Sequence, residues 1–251
     1  MKSLIGHTGF VGKNLSKKSE YNLYNSSNLN DFPNIEHETV FIAAPGAEKW
    51  KINLDGESDI RNIKGIVEIL NKSKFKKVVL FSSIDVYEDT NGLNEDFDTK
   101  EHSQNYGRNR IYFENEIKKF DNYLIIRLPG LFGEGLKKNV IYDILFNNVS
   151  SAINMNDVYQ WYNVENLYDD VQSVIHHENK IFNFFPEPIK NSEIINLFPK
   201  SLDQNLITFG TSNRTYNLKT KYTDSGYYCS KLVVLEQLKK FIEKCNSESL
   251  T

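Results

Sequence analysis

Apolar residues follow two alternating rhythms along this chain. Short apolar runs at 3–5, 21–25, 39–44, 77–83, 123–128 and 180–185 have the length of strands. Between most of them the spacing changes to that of a helix. The apolar residues that follow Gly6, Gly9 and Gly12 repeat helically, and within 60–71 they stand at 60, 63, 66, 67 and 70, one face of a 3.6-residue period. The segment 106–120 is charged and amphipathic, 193–197 reads as a short helix capped by Asn191 and Ser192, and 230–244 closes as an amphipathic helix. Strand and helix in alternation predict an α/β fold with a doubly wound parallel sheet. About a dozen residues separate Asn25 from Thr39, near the minimum for a parallel crossover. The second helix, or a strand with it, is expected to be trimmed or missing.

Composition narrows the partners more than the fold. A chain of 251 residues fits one domain with a small appended lobe. Its mean hydropathy is −0.50, and no run approaches the roughly 18 apolar residues of a membrane helix, so no membrane partner is expected. The start, Met1 to Ile5, runs straight into a glycine turn with no room for a secretion signal, which points to the cytoplasm. The 30 basic and 33 acidic residues are interspersed, so no footprint for nucleic acid stands out. Lys72 to Lys77 is the most basic stretch and reads as a solubilising connection between helix and strand. Cys229 and Cys245 lack the spacing of a metal or redox motif, so reduced thiols and no metal are expected.

Gly6, Gly9 and Gly12 form G-x-x-G-x-x-G directly after a strand and at the opening of a helix. A pyrophosphate needs a turn whose backbone it can approach and N–H groups at a helix N-terminus to receive its charge. The turn, with Thr8, Phe10 and Val11, is therefore the expected NAD or NADP site of a Rossmann-type sheet, and His7 reads as a loop residue. The acidic residue that would hold the adenosine ribose of NAD is replaced by Asn25, Ser26 and Ser27. Without a carboxylate to repel a 2′-phosphate, the choice tilts toward NADP.

Further along stand Ala43-Ala44-Pro45, then Phe81-Ser82-Ser83-Ile84-Asp85-Val86-Tyr87, then Tyr106-Gly107-Arg108-Asn109-Arg110, then Arg127-Leu128-Pro129-Gly130-Leu131-Phe132-Gly133. In order and spacing these motifs, with the glycine turn, resemble the extended short-chain dehydrogenase/reductases of the nucleotide-sugar epimerase/dehydratase type. The resemblance spans roughly residues 1 to 135 and is fainter to about 170. It implies a Rossmann-type NAD(P)-binding domain over 1–251, with a substrate lobe built mainly from about 134–165 and 186–230.

The resemblance also implies roles. Tyr106 would exchange a proton with a sugar hydroxyl or ketone, and Ser83 would polarise the same oxygen. Four residues after the tyrosine the family has lysine; Arg110 stands there, with a permanent charge that cannot lend a proton. Ala43, Ala44, Pro45 and Pro129 would line the cofactor site. Lys138 and Asn139 resemble a diphosphate-binding segment, and Trp161 belongs to a stretch similar to the family's Arg-Asp-Trp-x-x-Val-x-Asp. There Tyr159 replaces the arginine, a loss that Arg214 would offset. The activity implied is reduction or epimerisation of a nucleotide-activated sugar in the building of surface polysaccharide, and a homodimer is left open. Two alternatives remain. Asp85 stands where 4,6-dehydratases place a glutamate that abstracts a sugar proton, and the arginine at 110 admits a non-catalytic, dinucleotide-binding regulator.

Overall fold

The computed structural model describes residues 1–46, 48–146, 148, 153–198, 207–208 and 213–248. Contacts divide the chain into two compact units. The first comprises Met1–Glu88, Phe97–Leu128 and Glu165–Asn183. It holds one six-stranded sheet of β1 (Lys2–Ile5), β2 (Asn22–Tyr24), β3 (Glu36–Ile42), β4 (Lys74–Ser83), β5 (Tyr123–Leu128) and β6 (Lys180–Asn183). Every pairing is parallel and the order is β6-β5-β4-β3-β1-β2. Parallel strands covered on both faces are apolar almost throughout, and Val40 to Ile42, Val78 to Leu80 and Leu124 to Ile126 are all buried. Helices α1 (Phe10–Ser16), α2 (Lys49–Leu54), α3 (Glu57–Asn71) and α4 (Asn105–Ile117) follow the strands. The stripe read from 60–71 buries Ile63, Ile66, Val67 and Leu70.

The short crossover is as expected. Only a 3-10 helix, Leu29–Asn34, joins β2 to β3, and among the described residues no strand pairs beyond β2. Phe32 from this helix is fully buried and stacks on His37 of β3, with ring centroids 3.9 Å apart. All strands but β5 differ from the reading by one to three residues at an end, and two of these differences have a clear cause. β3 stops at Ile42 because Ala43 and Ala44 leave the sheet, although Ala43 N–H still reaches Ile5 O at 2.8 Å. β4 starts at Lys74 because Lys74 and Phe75 pair with Glu36 and His37. Lys77, read as solubilising, is buried instead. Its Nζ donates to Ile175 O at 2.6 Å and His177 O at 2.7 Å, carbonyls just past the helix Leu167–Val174, and burial pushes its pKa down.

One buried ion pair ties the sheet to α4. Arg127 of β5 donates to Glu114 through Nε (3.0 Å) and Nη2 (2.6 Å), with side chains 1% and 0% exposed. Ser82 of β4 donates to the same carboxylate at 2.6 Å. Arg127 also donates to the Tyr87 hydroxyl (2.6 Å) and to Thr99 (3.3 Å), and Asn183 of β6 donates to Tyr87 at 2.9 Å. Burial penalises the guanidinium charge, yet Glu114 and Tyr87 hold its pKa above the ordinary value.

The second unit comprises Asp89–Asp96, Pro129–Val164 and Phe184–Thr251. Short strands pair Gly130–Phe132 with Trp161–Asn163 and Val158–Tyr159 with Ile189–Lys190. Its core gathers Phe132, Ile141, Trp161, Ile189 and Leu238. Residues 89–96 run against 215–221, with Thr90 donating to Thr215 O and Glu95 accepting from Thr220 and Lys221. The helix expected at 193–197 spans Asn191–Ile195, so Asn191 and Ser192 lie inside it; Glu193 closes its start by accepting Lys190 N–H at 3.1 Å. Among the described residues no helix is long and apolar enough to cross a membrane.

Two measurements probe this frame. Arg127→Met leaves the Glu114 charge buried without its partner, a loss of about 3–5 kcal/mol; urea unfolding showing less than 1 kcal/mol would remove the pair from its structural role. His37 donates from Nε2 to Phe32 O (2.8 Å) and accepts from Ser3 Oγ at Nδ1 (2.7 Å), a neutral tautomer that is fully satisfied. Burial lowers its pKa below the ordinary 6.5, so its contribution is complete above about pH 6.5 and is lost as pH falls through the depressed native value. Acidification from pH 7 to pH 5 should lower Tm more in wild type than in His37→Gln. Equal slopes would dismiss the histidine as the cause.

Candidate active site

The site begins where the sheet changes direction. β1 has β2 on one side and β3 on the other, so the connections leaving their C-terminal ends diverge and open a crevice. Two loops meet there, the glycine turn and Ala43 to Pro45. Gly6 has φ +89°, and a Cβ on it would fall 2.5 Å from Ala43 O; a Cβ on Gly12 would fall 2.2 Å from Gly6 O. The fold itself demands glycine at both. Gly9 is different: a Cβ there would meet Gly6 O at 3.5 Å and Ala43 O at 3.8 Å, ordinary contacts. Thr8 and Gly9 are exposed, and Phe10 and Val11 are half-buried in the first turn of α1, where N–H groups have no partner within the helix. A bare backbone that packing does not require is what a close-approaching phosphate would need.

Beside this turn, Asn25 is already engaged. Its Oδ1 accepts from Ser27 N–H (2.8 Å) and Ser27 Oγ (2.6 Å), and its Nδ2 lies 3.2 Å from His7 Nε2. Ser26 is exposed. His7 is thus the loop residue it was read as, bridging the glycine turn to the end of β2.

The motif at 81–87 closes β4 and the turn after it, and the motif at 106–110 lies on α4. Ser83 ends the strand and caps the turn Ile84–Val86, its Oγ accepting Asp85 N–H at 3.1 Å and donating to Asp85 Oδ2 at 3.5 Å, a long and weak bond. Asp85 Oδ1 accepts from Lys49 Nζ at 2.7 Å. Gly107 decides how closely α4 meets this turn: a Cβ on it would lie 2.5 Å from Asp85 O and 2.4 Å from the His102 ring. Tyr106, one residue earlier, is buried at the start of the same helix. The start of α4 is held from α2, where Asn53 Oδ1 accepts Tyr106 N–H at 2.9 Å and Asn53 Nδ2 donates to Gln104 at 3.0 Å.

Arg110, in the lysine's place, lies beneath the tyrosine. Its guanidinium carbon is 4.7 Å from the Tyr106 ring centroid, and Nη2 is 2.7 Å from Asp59 Oδ1 of α3, with both side chains buried. Asn109 donates to the other oxygen of Asp59 at 2.9 Å. The arginine charge is therefore matched within the protein. Nothing in the sequence singled out Lys49, Asn53, Asp59 or Gly107. Pro129 is buried directly after β5.

The four residues expected to meet a sugar nucleotide belong to the second unit. Trp161 is 3% exposed in that unit's core, against Gly130, where a Cβ would stand 2.8 Å from its ring; its Nε1 has no hydrogen-bond partner among the described residues. Asn139 caps the helix Val140–Leu145 by accepting Tyr142 N–H (3.0 Å) and donates to Leu131 O (2.8 Å). Lys138 and Arg214 are exposed. Burial and Asp157, which accepts from its hydroxyl at 3.0 Å, push the Tyr159 pKa up to about 12, and Arg214 beside it acts in the opposite sense. Arg214 thus adjoins the position that lacks the family's arginine.

No family profile matches the chain, and no curated protein matches it in sequence. Solved structures match it from end to end. It is similar to UDP-glucose 4-epimerase with UDP-glucose from Thermotoga maritima, at 14% identity, TM-score 0.71 and 100% coverage of both chains. It is similar to dTDP-4-dehydrorhamnose reductase from Yersinia enterocolitica, at 15% identity and TM-score 0.72, covering 96% of this chain and 98% of that one. A third match is a UDP-glucuronic acid 4-epimerase mutant from Bacillus cereus in complex with UDP-4-deoxy-4-fluoro-glucuronic acid and NAD, at 13% identity and TM-score 0.75, covering 98% and 99%. At such identities the likeness establishes the fold, the Rossmann-type α/β fold of nucleotide-sugar epimerases and reductases.

The glycines provide the test of the site. Gly9→Val should fold with little change in Tm and lose dinucleotide binding, whereas Gly12→Ala should lose stability outright, because its added carbon meets backbone. Thermal unfolding together with calorimetry against NADH and NADPH reads both, and equal affinities of Gly9→Val and wild type would remove the turn from the site.

Proposed function

We propose that this chain is a nicotinamide-dinucleotide-dependent reductase or epimerase of a nucleotide-activated sugar. One observation carries the reading: the exposed backbone at Gly9, for which packing has no need, lies at the switch point of a sheet whose β4 ends in Ser83 and whose helix α4, starting with Asn105 and Tyr106, packs through Gly107 against the turn after Ser83. The solved structures sharing this fold include proteins bound to UDP-sugars and NAD, which supports the same ligand classes here.

Gly6 to Gly12 would hold the pyrophosphate, with Ala43, Ala44 and Pro45 on the facing loop. When bound, the nicotinamide supplies or accepts a hydride at a sugar carbon. Tyr106 gives or takes the proton on the oxygen of that carbon, and Ser83 donates a hydrogen bond to the same oxygen, so charge building there is stabilised as it forms. Asn25 and Ser26 carry no charge, so a 2′-phosphate meets no repulsion and NADP should be accepted as readily as NAD.

Asp85 argues against the dehydratase reading. Its carboxylate is ion-paired with Lys49, which opposes its acting as a base on a carbon-bound proton. The buried Arg110–Asp59 pair favours one rival, a silent dinucleotide-binding relative, since the charge in the lysine's place is already matched.

Turnover of Tyr106→Phe decides between enzyme and silent relative. The substitution removes the hydroxyl and keeps the ring over Arg110, so kcat should fall about a hundredfold or more with cofactor affinity nearly unchanged. The assay follows NADH or NADPH oxidation with a panel of 4-keto nucleotide sugars, alongside chromatography for epimerised products. If wild type converts no member of the panel, the catalytic reading gives way to the silent one.

A further inference from the structure

We infer that Lys49 is a positioning residue for Ser83: by holding the Asp85 carboxylate, it keeps that carboxylate from capturing the Ser83 proton and leaves the hydroxyl able to turn to a substrate oxygen. The inference rests on the proposed role of Ser83, and deepens it.

Three distances carry the argument. Ser83 Oγ accepts Asp85 N–H at 3.1 Å, which ties the hydroxyl oxygen to the turn, while its own proton faces Asp85 Oδ2 across 3.5 Å. Asp85 Oδ1 is drawn to Lys49 Nζ at 2.7 Å. A hydroxyl facing a carboxylate closes to about 2.5–2.7 Å when the carboxylate has no stronger claim on it. Here the bond to the ammonium is the short one and the bond to the hydroxyl the long one. A carboxylate released from Lys49 would take the Ser83 proton into a charge-assisted bond and withdraw it from any substrate.

Exposure separates this pair from the braces of the fold. Arg127 and Glu114 are 1% and 0% exposed, and Arg110 and Asp59 are 6% and 4%, whereas Lys49 is 41% and Asp85 16% exposed. The Lys49 pair borders solvent at the end of β4, where a ligand would arrive. One helical turn beyond Lys49, Asn53 takes Tyr106 N–H, so α2 touches both elements that bear the proposed catalytic groups. The charge of Arg110 is matched by Asp59, and Lys49 brings a cation into contact with the Ser83 turn.

The direct test needs no ligand and no turnover. In a crystal structure of the full chain bearing Lys49→Met, the distance from Ser83 Oγ to an Asp85 carboxylate oxygen should contract from 3.5 Å to about 2.7 Å; a distance that stays near 3.5 Å overturns the inference. Lys49→Gln serves as a second variant if Lys49→Met does not fold. Kinetics give an independent reading. Lys49→Met should lower kcat about tenfold with KM little changed, Lys49→Arg should retain turnover, and adding Asp85→Asn to Lys49→Met should restore kcat to the level of Asp85→Asn alone. Losses that simply add in the double variant overturn the inference, since a merely structural lysine gives no such rescue. Contraction of the distance in a protein that converts no member of the sugar panel would sink the proposed reaction, and with it the positioning role, and leave standing only the hold of Lys49 on the Asp85 carboxylate. Turnover by wild type with no contraction would leave the reaction standing and overturn the inference.

Discussion

A guanidinium and a carboxylate taken wholly out of water are the constraint around which the first unit is arranged. The Arg127–Glu114 pair is almost fully buried, and removing ions of this size from water costs several kcal/mol each after relaxation. Attraction offsets that cost only with good geometry and with the remaining donors and acceptors satisfied. Ser82, Tyr87 and Thr99 complete the set. Because Ser82 and Arg127 are register partners on adjacent strands, and Glu114 is on α4, satisfying the pair fixes α4 against β4 and β5. Tyr106 and Ser83 stand on those same elements, eight residues before Glu114 and one after Ser82 respectively. The placement of the proposed chemistry is thus inherited from a buried electrostatic requirement.

A second, smaller arrangement surrounds the residue four after the tyrosine. There, arginine brings a planar fork that reaches further than an ammonium. Asp59 and the face of Tyr106 take it up. The positive charge is kept under the aromatic ring, but it is matched by an acid on α3. The cation that pairs with Asp85 beside the serine comes from a different helix, α2. Charge at this site is distributed over two ion pairs, Arg110 with Asp59 and Lys49 with Asp85, each anchoring one of the two groups proposed to handle the substrate oxygen.

How much of this could be read from the chain alone follows from the reach of each interaction. The sheet was legible because apolar runs and their spacing are local properties, and the shortness of the segment between Asn25 and Thr39 foretold the reduced crossover. The three glycines were legible as a group; that Gly6 answers to Ala43, a neighbour only in space, and Gly12 to the backbone of Gly6, while Gly9 answers to neither, depends on how the turn closes on itself and on the facing loop. Lys77 misled for the same reason, since the carbonyls that receive it lie about a hundred residues further on. Lys49, Asn53 and Asp59 reach partners 36, 53 and 51 residues away. In sequence they are ordinary polar residues of amphipathic segments, and only the packing of α2 and α3 on α4 gives them a role. Trp161 and Asn139 were legible as motif members, but their surroundings, a core and a helix cap, were not.

The reduced crossover between β2 and β3 bears on how the molecule behaves among its own copies. An outermost strand offers unpaired N–H and C=O groups to any extended chain that drifts against it. In this sheet the outermost strands are short: β2 has three residues and β6 four, against seven in β3 and ten in β4. The long strands, which would make the best templates, are enclosed between neighbours. With β2 as the last strand of the sheet among the described residues, the chain presents an incoming strand with too few backbone groups to hold it, and so limits edge-to-edge aggregation at the very place where its architecture was cut back.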